Sequence, residues 1–241
     1  AALRPELEAK GHVFRSRTDS EVLLHGWEEW GEGVLERVRG MFAFAIWDGR
    51  KRALALARDP MGIKPLFLWW SGGGRLAFAS ELKAFLGLAG FSARPDLVAL
   101  RQFLEFSFVP DLERTSLEGV RKLPPGHVLT VTAEDVAAGR RPQARPYFTP
   151  PRVERRDEGE WSLDARADRL YATMSEVVRQ HLVADVPVGL LLSGGLDSSV
   201  VAALARRHGP VRTLSMGFAD SSLDERPFGR AVSEHLGTDH E

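Results

Sequence analysis

The residues Ser193 to Ser199 read SGGLDSS, set between the apolar runs VPVGLLL and VVAALA. In the plainer reading of such a turn, Ser198 caps the following helix and the glycines let the chain reverse. In the sharper reading the turn is a phosphate cradle. Gly194 and Gly195 let backbone approach an anion closely. The amides at the start of the next helix point the positive end of its dipole at that anion. The hydroxyls of Ser193, Ser198 and Ser199 add donors. Asp197 is the informative residue, because a carboxylate beside phosphates is repelled unless it holds a cation such as Mg²⁺, directly or through water. No GK[ST] follows, so this is no Walker loop, and G-x-S-x-G is not met around Ser193, so it is no nucleophile elbow. The order strand, glycines, aspartate, serines, helix favours phosphate binding over a bare turn.

A second helix start, Thr18-Asp19-Ser20-Glu21, fits the capping box S/T-x-x-E ahead of an amphipathic run that places Val22, Leu23, Trp27 and Trp30 on one face. Other spacings carry less. Gly72 to Ala77 formally fits G-x-G-x-x-A but joins two strands, where a hairpin is the better reading. The seven histidines are scattered without a ligand spacing, and His235 and His240 are expected on a helix surface and a loop. Arg152, Arg155 and Arg156 read as solvated charge, as does the pair Glu81 and Lys83, with a cross-domain pair as the alternative for the latter.

The elements that must hold these turns fall into two halves. From Met41 the sequence has period 2: MFAFAIWD and RALALARD flank Asp48-Gly49, a hairpin signal, and LFLWW with RLAFAS forms a second hairpin. In MFAFAIWD both faces are apolar, which predicts a sheet covered on both sides. HVFRS (12–16) and HVLTV (127–131) read as strands, and 81–88 and 96–106 as helices. Residues 139–160 carry prolines, charge and no periodicity, and read as a linker between domains at 1–138 and 161–241. Beyond it, Leu163, Ala167, Leu170, Met174, Val177 and His181 recur at helical spacing. Strand 188–192, helix 200–208, strand 211–218 and helix 224–236 alternate as in a parallel α/β sheet. Ligands bind such sheets at the carboxyl ends of the strands, where SGGLDSS lies.

Composition bounds the function. The 241 residues include 32 basic and 33 acidic side chains, so no polyanion-binding surface is expected and nucleic acid is not a partner. There is no cysteine, which excludes disulfides, zinc thiolates and a cysteine nucleophile in this chain. The longest apolar runs, such as MFAFAIW, fall far short of the roughly 20 residues of a membrane helix. A cytoplasmic setting fits. The chain opens without an initiator methionine inside AALRPELEAKGH, and we expect it to be an internal piece of a longer protein.

Taken with their flanks, DVPVGLLLSGGLDSSVVAAL, TLSMGF and ERPFGRAVSEHLGTDHE resemble the synthetase domain of glutamine-hydrolysing asparagine synthetases. RGMFAFAIWD, ARDPMGIKPLF and FASELKAF resemble the glutaminase domain of the same family. The resemblance spans nearly the whole chain in the family's domain order. It implies an α+β four-layer (αββα) N-terminal-nucleophile domain, followed by the start of an α/β parallel-sheet domain of the pyrophosphatase-loop kind. It implies ATP and Mg²⁺ as cofactors, glutamine and aspartate as substrates, and room for a homodimer. Ser193, Gly194, Gly195, Asp197, Ser198 and Ser199 match the family's pyrophosphate loop. Leu192 matches a position next to ATP, and Met216 one that borders the adenine, with core packing as its equal rival. Asp19 matches the aspartate that holds the α-amino group of glutamine. The family's cysteine nucleophile belongs before Ala1, so the chain as it stands is expected neither to hydrolyse glutamine nor to complete the synthetase reaction. Two alternatives share the architecture: a β-lactam-forming, carboxylate-adenylating relative without glutaminase activity, and a non-catalytic nucleotide-binding relative.

Overall fold

The computed structural model describes residues 3–72, 74–152, 162–217 and 224–241. The chain divides into two compact units, Ala1–Arg152 and Val153–Glu241.

The first unit begins with helix α1 (Arg4–Ala9), whose Leu7 is fully buried. Gly11 follows at φ +93°, a left-handed stop to the helix. HVFRS is not a strand. Residues 12–18 are irregular and lead into α2 (Asp19–Trp30), which runs into a 3₁₀ helix, Gly31–Glu36. Strands β1 (Ala43–Asp48) and β2 (Ala53–Arg58) form the expected hairpin. Its loop is longer than a two-residue turn: the Asp48 side chain accepts from the amides of Arg50 and Lys51, and Arg52 takes φ +48°. Strands β3 (Phe67–Trp70) and β4 (Leu76–Ala79) form the second hairpin. The 81–88 helix shrinks to one 3₁₀ turn, Leu82–Phe85. Helix α3 (Leu97–Phe106) is capped by Asp96, whose carboxylate accepts from the Val98 and Ala99 amides. Then come β5 (Val120–Lys122), β6 (His127–Thr132), α4 (Ala133–Ala137) and β7 (Arg145–Pro146). Two antiparallel sheets result, in the orders β1-β2-β6-β7 and β4-β3-β5.

Period-2 alternation explains how these sheets bury both faces. Leu56, Leu129 and Val131 of the first sheet share a core with Leu68 of the second and with Leu66 and Leu123, and Ala43 and Ala45 pack against it. On the opposite face Ala57 and Val128 join Val34 and Leu35 of the 3₁₀ helix, with Trp27, Trp30, Phe42 and Phe44 around them. Trp69, Val120 and Phe85 form a third cluster on the second sheet. Each fully buried leucine contributes about 1.5–3 kcal/mol. The RDPMGIKP segment is locked by buried Asp59, which accepts from the amides of Met61, Ile63 and Lys64.

The expected linker does not lie wholly outside this unit. Arg145–Pro146 pairs with β6, and the Tyr147 hydroxyl donates to the Arg58 carbonyl at 2.7 Å. A proline-rich edge strand has no periodicity to betray it. Residues 153–160 of that segment lie outside the described residues.

The second unit contains α5 (Leu163–His181), β8 (Gly189–Leu191), α6 (Leu196–Arg206), β9 (Arg212–Leu214), α7 (Arg226–Leu236) and β10 (Asp239–His240). The three strands are parallel in the order β10-β9-β8. The α5 periodicity gave a helix but not its buried face. Leu163, Leu170 and Val177 are exposed, while Met174, Ser175 and Val178 are half-buried, and Ser175 Oγ meets His208 Nε2 at 3.1 Å. Strand 211–218 narrows to β9, and Phe218 is outside the described residues. His240 sits in a strand, not a loop. Its Nδ1 lies 3.0 Å from Oγ1 of buried Thr213.

Candidate functional site

The SGGLDSS turn leaves the carboxyl end of β8 and enters α6. Leu192 is buried, and its backbone is tied to the neighbouring strand from both sides. Its amide donates to the Leu214 carbonyl at 2.8 Å, and its carbonyl accepts from Ser215 Oγ at 2.5 Å. The chain then turns sharply. Gly194 takes φ +82°, and a Cβ there would lie 2.4 Å from the Phe228 carbonyl carbon. No L side chain fits both the conformation and the space. Gly229, in the first turns of α7, is the partner in this close approach. A Cβ on it would come within 2.3 Å of Ser215 Oγ and 2.6 Å of the Leu192 carbonyl. The Phe228-Gly229 step of α7 is thus pressed onto the base of the turn. Sequence reasoning missed its role; a glycine early in an otherwise good helix was the available signal.

Gly195 is the N-cap of α6, and no side chain caps this end. The first intrahelical bond is Ser199 N–H to the Gly195 carbonyl. The amides of Leu196, Asp197 and Ser198 therefore precede any helical acceptor. The plainer reading, with Ser198 as a cap, does not hold. Ser198 Oγ instead donates to the Gly195 carbonyl at 3.2 Å and meets Ser193 Oγ at 3.0 Å, while Gly195 N–H donates to Ser193 Oγ. Two hydroxyls are held side by side at the mouth of an uncapped helix. Ser199 Oγ is buried and has no hydrogen-bond partner among the described residues. Asp197 is exposed on the first turn.

Amides, hydroxyls and dipole together suit an anion with several oxygens. The exposed Asp197 carboxylate at the edge of the turn suits a hard cation that keeps most of its water. Met216 follows β9 closely and is exposed, two residues beyond the Leu214 carbonyl that binds Leu192. A cleft of about 570 Å³ lies on the β9–β10 side of the same unit, lined by Ser215, Arg226, Arg230 and His240 among others.

Asp19 lies in the first unit as the first residue of α2, with its side chain exposed. The capping box around it is not closed. Thr18 makes no bond to the α2 amides, and its hydroxyl meets Ser16 Oγ at 2.9 Å. Glu21 passes over the cap to a denser set of donors. It accepts from Ser16 Oγ at 2.5 Å and from the amides of Arg15 and Ser16, each at 2.6 Å. These bonds, the Ser16 hydroxyl foremost, hold its carboxyl down at about 2. The box closes instead at Thr132 and Asp135, ahead of α4. Glu81 and Lys83 pair with one another, both exposed.

Residues 1–144 match the glutamine amidotransferase domain family, and residues 169–241 match the asparagine synthase family. A provisionally named glutamine-hydrolysing asparagine synthetase of Mycobacterium tuberculosis is 40% identical over 248 residues, covering 99% of this chain and 36% of the relative. Glutamine-hydrolysing asparagine synthetase 3 of Bacillus subtilis is 32% identical over 99% of the chain and 40% of its own length. Its Arabidopsis thaliana namesake is 32% identical over 99% of the chain and 36% of its own length. The chain thus spans well under half the length of the curated relatives it matches.

Proposed function

Because the chain belongs to the family of glutamine-hydrolysing asparagine synthetases, we propose that it serves the ATP-dependent amidation of aspartate with ammonia taken from glutamine. The observation that carries this reading is the uncapped, glycine-shaped start of α6 with its paired serine hydroxyls. On this reading the first unit is a four-layer αββα glutaminase domain. The second is the start of a pyrophosphatase-loop domain, working in the cytoplasm.

The chemistry follows from the leaving group. A carboxylate oxygen leaves poorly. When an oxygen of the aspartate side chain attacks the α-phosphorus of ATP, the bond to the bridging oxygen breaks and pyrophosphate departs, leaving a β-aspartyl adenylate. Ammonia then displaces AMP and gives asparagine. The amides of Leu196, Asp197 and Ser198, with Ser193, Ser198 and Ser199, bind the β- and γ-phosphates and take up charge as pyrophosphate forms. Gly194 and Gly195 let the backbone come close enough to do so. Asp197 would hold Mg²⁺ directly or through water. The bound ion would neutralise phosphate charge and orient the triphosphate. Leu192 keeps the turn registered on β9, and Met216 offers an apolar surface to the adenine. Asp19, exposed and without a side-chain partner among the described residues, suits the α-ammonium of glutamine.

Relatives that match across both halves are named for asparagine synthesis, which favours amidation over β-lactam closure. The test is pyrophosphate release by the full-length protein containing this chain, given ATP, magnesium and glutamine. Release that depends on aspartate is expected. Release without aspartate, or none, overturns the substrate assignment.

A further inference from the structure

Three side chains that no sequence spacing joins meet beside the first unit's α2. His12 follows the stop of α1. His25 and Glu28 lie three residues apart on one face of α2. His12 Nδ1 is 3.2 Å from His25 Nδ1, His25 Nδ1 is 2.9 Å from Glu28 Oε2, and His12 Nδ1 is 3.8 Å from the same oxygen. We propose that these three groups bind one divalent transition-metal ion, with zinc the best match to two imidazole nitrogens and one carboxylate.

The spacing suits that ion. Ligands at zinc's usual bond lengths in a tetrahedron sit about 3.3 Å apart. The three separations here scatter around that value. The outer surroundings suit it too. Both rings aim Nδ1 at the common centre, and both turn Nε2 toward a carboxylate. His12 Nε2 lies 3.3 Å from Glu29 Oε2, and His25 Nε2 lies 3.7 Å from Glu21 Oε1. At His12 the carboxylate is within hydrogen-bond reach, which fixes the tautomer and strengthens the ligand, while at His25 the longer separation leaves a charge contact. With the protons on Nε2, both Nδ1 lone pairs and a Glu28 oxygen face one centre, which suits a cation there; with a proton on an Nδ1 the same contacts are hydrogen bonds, so the ion competes with that proton. Glu21, Glu28 and Glu29, set against Lys10 alone at Glu29, leave negative charge for a divalent cation to balance. Both histidine side chains are only 16% exposed, whereas Glu28 is open, which leaves a fourth coordination position to water. The Phe14 ring closes the apolar side, edge-on to His25 at 4.7 Å. The ion would staple the irregular 12–18 segment to α2 and so steady the approach to Asp19.

Calorimetric titration of the full chain with zinc chloride, in a buffer that does not chelate, tests the site. One zinc per chain is expected at micromolar or tighter affinity. H12A and H25A should each weaken binding beyond the roughly 10–100-fold that loss of an outer carboxylate costs. Cobalt(II) added to the unaltered chain should give the visible absorption of a tetrahedral site, lost on adding zinc, and this needs no variant. Absence of saturable zinc binding overturns the proposal. So does affinity that survives unchanged in the H12A/H25A double variant, or cobalt that stays octahedral.

Discussion

The turn before α6 and the turn before α2 both open a helix, and both carry acid and hydroxyl side chains, yet they are finished differently. Before α2, Glu21 reaches back to the Arg15 and Ser16 amides, so the approach is braced by an anion of its own. Before α6 the serines bond to each other and to Gly195, no side chain among the described residues reaches the first amides, and a helix from elsewhere in the fold presses on the turn. A start that supplies its own anion is a structural joint. A start that is shaped by distant packing and left without one suits an anion from outside, as proposed for ATP. This contrast, more than the motif letters, separates the two.

The largest break in the comparison should come from Gly194→Ala. Left-handed backbone costs an alanine about 1–2 kcal/mol, and its Cβ also meets Phe228 at 2.4 Å. We expect a loss of more than about 3 kcal/mol by chemical denaturation, with ATP binding abolished. A loss below 0.5 kcal/mol would show that α7 does not pack on the turn as described. Next comes Asp197→Asn. It removes an exposed carboxylate, so stability should hold within about 0.5 kcal/mol. Magnesium-dependent ATP affinity should fall about tenfold or more, near 1.4 kcal/mol. Equal affinity with and without the carboxylate would remove the cation role.

Glu21→Gln sharpens the other side. The folded carboxyl sits at about 2 against an ordinary 4.5, so its bonds favour the folded state above pH 4.5. That contribution drains away as pH falls from 4.5 toward 2. Glu21→Gln should make the approach to α2 more open to proteolysis at neutral pH and flatten the acid dependence in that window. An unchanged acid profile contradicts the brace. The smallest effect on folding belongs to Asp19→Asn, expected within about 0.5 kcal/mol because the side chain is exposed at a helix start. Its consequence should appear as a raised KM for glutamine in the full-length protein, and an unchanged KM would free Asp19 of a substrate role.

Much of this was legible in the sequence where the signal is local. The two apolar faces of MFAFAIWD foretold a sheet covered on both sides, and both hairpins of this half were visible as period-2 runs around a turn. What failed was non-local. Val120–Lys122 and Arg145–Pro146 are strands only because β3 and β6 offer them partners. The capping-box spacing points to Thr18, but spacing cannot tell which donors a glutamate will find, and Glu21 meets better ones two and three residues before the cap. The role of Gly229 depends on Leu192 and Ser215, and the His12–His25 meeting depends on α1 folding back beside α2. The helix stripe of α5 predicted a helix correctly, but periodicity does not say what covers a face.

The proposed cradle at the α6 turn stands or falls on whether it holds the phosphates of ATP. Calorimetric titration with ATP, with and without magnesium and with pyrophosphate as competitor, tests it most directly. Binding should require magnesium, be blocked by pyrophosphate, and be lost in Gly194→Ala. Binding that ignores pyrophosphate, or that persists when the turn is disrupted, would contradict it.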